Sequence, residues 1–242
     1  MDDKTTALVA ELRSQGLPPK AIARRLGLRP TEVSSLIREH AAQLEASADP
    51  KALPAIRACY LSPGFSTVLG LSGPAQAWRA YDPGHSGSEG LVSALWVRAN
   101  RYDHLTACGA LVDVYCLGVK NALGPKNLQA DELRAFVSRY FRSYDAPPVE
   151  VPFELVQSLC LGAVEYAASL GFEPHPDFAA VQPSLGAWSG PSPIRFGKEG
   201  RPLYVQGPDD DVFRIVHTLR RTVGDGGFDL VSGNPASPFA LS

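Results

Sequence analysis

No apolar run in the 242-residue sequence approaches the ~20 residues that a membrane-spanning helix requires. The start, MDDKTT, is acidic and polar and lacks the basic and apolar regions of a secretory signal. Cysteine is scarce: there are four, Cys59, Cys108, Cys116 and Cys160, and no CxxC pair. All but Cys59 sit in apolar runs, the pattern of reduced, buried thiols rather than of a disulfide framework or thiolate metal centre. The expectation from these absences is a cytoplasmic protein with no membrane contact. An excess of one charge is missing too. With a net charge of -2 the molecule has no general affinity for nucleic acid, so such binding must come from a local patch. There is no GxxxxGK phosphate loop and no GxGxxG after a strand. The loop GHSGSEG fails as a nucleophile elbow, because Ser88 stands where GxSxG needs glycine. Internal repeats and low-complexity tracts are absent, and no motif names a cofactor.

What is present suits a globular chain. The hydrophobic fraction of 45% can supply a core, and 20% charge is too little for a disordered polyelectrolyte. Residues 5–15 place Leu8, Val9 and Leu12 on one helical face, ended by Gly16. Pro18 and Pro19 start a second helix, KAIARRL, which Gly27 ends. Pro30 opens a third, PTEVSSLIREHAAQLEA, with Val33, Leu36 and Ile37 inward. ADPKALP (48–54) then breaks the pattern and marks a linker.

The spacing of Ala23, Gly27 and Val33 carries more. Ala23 is the small residue where two helices cross, flanked by Ile22 and Leu26. Gly27 turns the chain, Leu28 leads on, and Val33 and Leu36 lock the next helix. This resembles the helix-turn-helix of site-specific recombinases and many bacterial regulators, and the resemblance implies duplex DNA as partner. Bases would then be met by Thr31, Glu32, Ser34, Ser35 and Arg38, and the backbone by Lys20, Arg24, Arg25 and Arg29. Arg29 stands where a Ser or Thr cap is usual, with Thr31 as partial compensation. Seven basic and six acidic residues in 1–46 leave only a modest electrostatic drive. A second copy of the chain is therefore implied, as a homodimer. A helical hairpin that docks on protein, as an adaptor would, stays open beside this.

The rest reads as α+β. AIRACYL allows a short helix, and YDPGHSGSEG (81–90) is a polar loop. Two strands, 91–99 and 104–119, flank the turn residues Asn100 and Asp103 as a hairpin. Helices are expected over 129–142 and 152–170, the second apolar nearly all round and so central. PIRFG and RPLYVQG, split by Lys198, Glu199 and Gly200, suggest another hairpin. Residues 209–223 form a helix that is acidic first and basic last, and GFDLVSG a final strand. The expected division is a helix-turn-helix module over 1–47, an α+β domain over 54–232 with an antiparallel sheet of hairpins, and a loose tail over 233–242. ALVDVYCLGVK, VEYAASLGFEPHPDF and RPLYVQGPDDD make residues 90–230 similar to an uncharacterised bacterial family, a resemblance that implies no activity.

Three polar clusters are candidates for chemistry. The first is Asp103, His104, Asp113, Cys116 and Lys120. An acid within an apolar strand is costly unless paired, which singles out Asp113 either as a functional group or as a buried structural partner. The second is Glu165 with His175 and Asp177, where prolines on both sides fix the histidine; these could ligate a metal or move protons, or form a turn with Asp177 capping the next helix. The third, Asp209, Asp210 and Asp211, could bind Mg²⁺, but its helix start explains it without any metal. The leading expectation is a transcriptional regulator whose α+β domain dimerises, senses a ligand or recruits a partner. The alternative is a metal-dependent enzyme acting on nucleic acid through Asp113, Glu165, His175 and Asp177.

Overall fold

The structure, a computed structural model, describes residues 3–15, 17–47, 53–82, 84, 89–100 and 104–232. Expectations for Gly16, most of the linker, most of the 83–88 loop, Asp103 and the 233–242 tail lie outside these residues. The chain divides into two compact units, Met1–Leu53 and Pro54–Ser242.

The first unit has three helices: α1 Asp3–Ser14, α2 Pro19–Leu26 and α3 Pro30–Ser47. Pro19 and Pro30 sit at the helix starts, where a missing N–H leaves no bond unmade. α2 stops at Gly27, whose φ of +67° is left-handed, and the Leu28 amide closes back on the Ala23 carbonyl at 3.0 Å. Val9, Leu12, Ile22, Ala23, Val33 and Leu36 form the core, rimmed by Leu17, Leu26, Leu28 and Ile37. Leu8, expected inward, is 42% exposed because it lies beyond the edge of the stripe through Val9 and Leu12.

The second unit is α+β, built on a five-stranded antiparallel sheet. Its elements are β1 Ile56–Leu61, α4 Phe65–Val68, β2 Gly70–Leu71, a 3-10 helix Gly73–Tyr81, β3 Leu91–Ala99, β4 His104–Asp113 and β5 Gly118–Gln129. There follow α5 Leu133–Tyr140, β6 Val149–Glu150, α6 Phe153–Ser169, α7 Phe178–Val181, β7 Ile194–Arg195, β8 Leu203–Val205, α8 Val212–Val223 and β9 Asp229–Val231. The sheet order is β5-β4-β3-β1-β6.

Side chains alternate across the sheet. Val92, Ala94, Trp96, Cys108, Ala110 and Val112 share one core with Leu155, Val156, Leu159 and Cys160 of α6. Leu95, Val97, Leu105, Ala107 and Leu128 share another with Phe136 and Val137 of α5. Covering both faces explains why β3 is apolar at every position but Ser93 and Arg98. Gly109 admits Tyr140, whose hydroxyl donates to the Ala94 carbonyl at 3.0 Å; a Cβ at Gly109 would sit 2.6 Å from the tyrosine hydroxyl oxygen. A third core joins Cys116, Leu117, Leu170 and Tyr204 to Ile215 and Leu219 of α8. All four cysteines are free and buried. Burial lifts the Cys59 thiol to about 12, so it stays protonated at neutral pH.

Four expectations change. AIRACYL is strand β1, not a helix: β3 and β6 bond both its edges, so tertiary pairing overrides the local pattern. Residues 104–119 are not one strand, because the chain turns after Asp113 and returns as β5. β5 escapes a hydrophobic-pattern reading since it is a polar edge strand carrying Pro125. It continues to Gln129, so α5 begins only at Leu133, after a 3-10 turn. PIRFG and RPLYVQG do not pair as a hairpin. β7 joins β2, β8 joins β9 in parallel, and one isolated Lys198–Arg201 bridge spans the turn between them.

Candidate functional site

On the first unit, Lys20, Arg24, Arg25, Arg29, Thr31 and Arg38 are exposed, and Glu32, Ser34 and Ser35 half-buried. The cap of α3 is not Thr31. The Glu32 carboxylate accepts from the Arg29 backbone N–H at 2.8 Å, half of a capping box, and this ties Glu32 to the helix end. The Ser34 hydroxyl donates to the Pro30 carbonyl at 2.9 Å and the Ser35 hydroxyl to Glu39 at 3.2 Å. The Arg38 Nε donates to the Ser34 carbonyl at 3.3 Å, which fixes its stem and leaves its terminal nitrogens outward. Among the described residues, Lys20, Arg24, Arg25, Arg29 and Arg38 make no ion pair.

In the second unit the expected catalytic residues have separate partners. Asp113 is 6% exposed at the end of β4. Its Oδ1 accepts from the amides of Tyr115 (2.9 Å) and Cys116 (3.0 Å), and its Oδ2 from Leu117 (3.1 Å). These three donors wind the chain into the β4–β5 turn. Burial pushes the carboxyl above its ordinary value while the amides pull it down. Lys120 does not pair with Asp113; its ammonium meets Asp210 at 2.9 Å, and Asp210 also accepts from the Gly207 amide at 2.8 Å. Glu165 is exposed on α6 and accepts a short hydrogen bond from the Trp188 indole N–H. Of the four, only His175 and Asp177 are brought together. The Asp177 amide donates to the His175 Nδ1 at 3.3 Å, with the carboxylate 3.8 Å from that nitrogen. Asp177 stands at the start of α7 without a capping hydrogen bond from its side chain. His104, from the first cluster, contacts Gln129 across the β4–β5 ladder at 3.1 Å. Asp211 caps α8 by accepting from the Arg214 amide at 3.1 Å. Among the described residues no three His, Cys, Asp or Glu side chains gather to hold a metal ion.

A cleft of about 370 Å³ lies elsewhere, over the β2–β7 ladder. Arg79, Arg195, Lys198 and Glu199 line it with Tyr115 and the backbone and side chains of residues 67–72. Gly70 lets the two short strands meet, since a Cβ there would lie 2.4 Å from the Arg195 carbonyl oxygen. The Arg195 guanidinium donates to the Glu199 carbonyl at 2.6 Å, and that of Arg79 to the Ser66 carbonyl at 3.1 Å. No local pattern marks this cleft: Arg79 and Arg195 lie 116 positions apart and are joined only through the β2–β7 pairing.

No protein-family model matches the chain, and no curated protein or solved structure matches it significantly. No helix among the described residues is long and apolar enough to cross a membrane.

Proposed function

We propose that α2 and α3 form a helix-turn-helix that binds duplex DNA, and that the protein is a transcriptional regulator. The observation that carries this reading is the row of five exposed cations on α2, α3 and the turn between them, none in an ion pair among the described residues. Arg24 and Arg25 also suit the dipole at the end of α2, but Lys20, Arg29 and Arg38 do not stand in that turn, and phosphates would pair with all five. The buried set Ile22, Ala23, Val33 and Leu36 around a left-handed Gly27 supports it, because it holds α3 rigidly against α2. Three to five phosphate contacts make affinity fall about 40- to 500-fold between 50 and 200 mM salt. The test is a low-salt gel shift of the full chain with a duplex fragment. The wild type is expected to retard it and Arg38→Ala to weaken retention; no retention by the wild type sinks the reading.

One such module binds weakly, and the regulator is accordingly a homodimer. Phe213 on α8 is 91% exposed, beside Val212, Val216, His217 and Arg220. Positions 213, 216, 217 and 220 form one helical stripe. Laid antiparallel about a two-fold axis between 216 and 217, a second α8 sets Phe213 on the partner's Arg220 and Val216 on the partner's His217. The acidic start of each α8 then lies beside the basic end of the other. Burying both phenylalanines yields about 3–6 kcal/mol, no more than the cost of association. The dimer is thus weak in solution and favoured when two copies share one duplex. Analytical ultracentrifugation at high protein concentration checks this: Phe213→Asp abolishes the dimer, and an unchanged distribution contradicts it.

A further inference from the structure

We infer that the cleft over the β2–β7 ladder is a binding site for a small phosphomonoester with an apolar or aromatic body. It stands apart from the DNA reading, since every lining residue lies in the second unit. Three observations converge. The first is charge: Arg79, Arg195 and Lys198 against Glu199 leave about two net positive charges in the cleft of a chain whose net charge is -2. Among the described residues none of the three cations is ion-paired. The second is preorganisation. Each guanidinium is held by one backbone carbonyl, Ser66 for Arg79 and Glu199 for Arg195, which leaves the other N–H donors of its planar fork for an oxyanion. Arg195 is set by an unusual turn. Gly197, Glu199 and Gly200 all have left-handed φ, at +79°, +55° and +86°, and Glu199 is one of two described non-glycine residues with positive φ. A Cβ at Gly200 would lie 2.3 Å from the Arg195 guanidinium, so the turn provides the floor on which that group rests. Of the three only Glu199 carries a side chain in this sparsely populated region, and such a conformation persists where the surroundings impose it, commonly at ligand clamps.

The third observation is shape and polarity. The partly buried Val68 and Tyr115 supply an apolar wall in the same cleft as the cations, and about 370 Å³ is the scale of a small-ligand site. A bare anion would leave that wall wet, and an uncharged apolar ligand would leave the arginines unanswered. A phosphate joined to a ring satisfies both.

The test is isothermal titration of the full chain, without DNA, with phenyl phosphate, benzoate and inorganic phosphate as probes. Phenyl phosphate is expected to bind at least 10-fold more tightly than either of the others. Arg79→Ala and Arg195→Ala should each weaken it 10-fold or more, while Glu199→Gln holds or strengthens it. Arg195→Lys keeps the charge and the fold but loses the fork, and a 5-fold or greater loss is expected there too. The inference is overturned if phenyl phosphate shows no heat of binding at 10 mM, if it binds no better than inorganic phosphate, or if Arg195→Lys leaves its affinity unchanged. Because no duplex is present, these outcomes are independent of the gel shift.

Discussion

The charged side chains most conspicuous in the sequence meet different fates in the two units. On α2 and α3 the cations stand exposed and unpaired among the described residues, and the polar groups near them that do bond, Glu32, Ser34 and Ser35, tidy the start of α3. Around the sheet, three acids that stand out in sequence are engaged by the fold: Asp113 by three amides, Asp210 by Lys120 and Gly207, and the exposed Asp211 by the α8 cap. A buried acid with all its oxygens bonded holds a turn. Exposed cations add little to stability, Arg24 and Arg25 only through the dipole at the end of α2, and under the proposed reading they are the groups left for a ligand.

The sharpest way to break the comparison is at Asp113. Asp113→Ala leaves three amide donors unpaired, two of them buried, at about 1–3 kcal/mol each. Urea unfolding followed by tyrosine and tryptophan fluorescence should therefore lose about 3 kcal/mol or more; Asp113→Asn, which keeps one acceptor, should lose less. An unchanged midpoint would return Asp113 to the list of groups available for chemistry. Next comes Gly27. Its φ is +67° and a Cβ there would touch nothing within 4 Å, so Gly27→Ala tests conformation alone. A loss of about 1–2 kcal/mol is expected from the left-handed backbone.

Glu32 sharpens the contrast within α3. As half of a capping box, Glu32→Ala should cost about 0.5–1 kcal/mol of stability, read from thermal unfolding, and should leave any sequence preference for duplex unaltered. A changed preference at full stability would make Glu32 a base-reading residue. The smallest effect is at Asp82, which accepts from the amides of Ser66 at 2.8 Å and Gly64 at 3.3 Å beside the cleft. Partial burial raises its pKa, but these bonds outweigh it and hold the carboxyl below its ordinary value. Its contribution is therefore complete above the unfolded pKa, about 3.9, and is lost as pH falls through the lower folded value. The difference in melting temperature between wild type and Asp82→Asn should accordingly close on acidification below that range; a constant difference contradicts the assignment.

Local signals carried the first unit and the α+β class. Prolines at helix starts, a glycine stop and inward residues at helical spacing act within a few positions, so the three helices and their core were readable from sequence. The β3–β4 hairpin was readable for the same reason. β1 was not, because its strand state is imposed by β3 and β6 from far along the chain. Asp113 was rightly conspicuous, but its partners are backbone amides, which leave no trace in side-chain identity. The cleft was invisible because Arg79 and Arg195 become neighbours only through the β2–β7 ladder, two residues long on each side.

The most direct measurement of the central claim is the salt dependence of duplex binding, by fluorescence anisotropy, for the full chain and its Arg24→Ala/Arg25→Ala variant. Each lost phosphate contact lowers the slope of log K against log salt by about one. The expected result is wild-type binding that weakens steeply with salt and a variant whose slope is smaller by about two, with its thermal stability retained. Equal slopes and affinities for the two proteins, or no binding by either at low salt, would contradict the assignment of α2 and α3 as a DNA-binding surface.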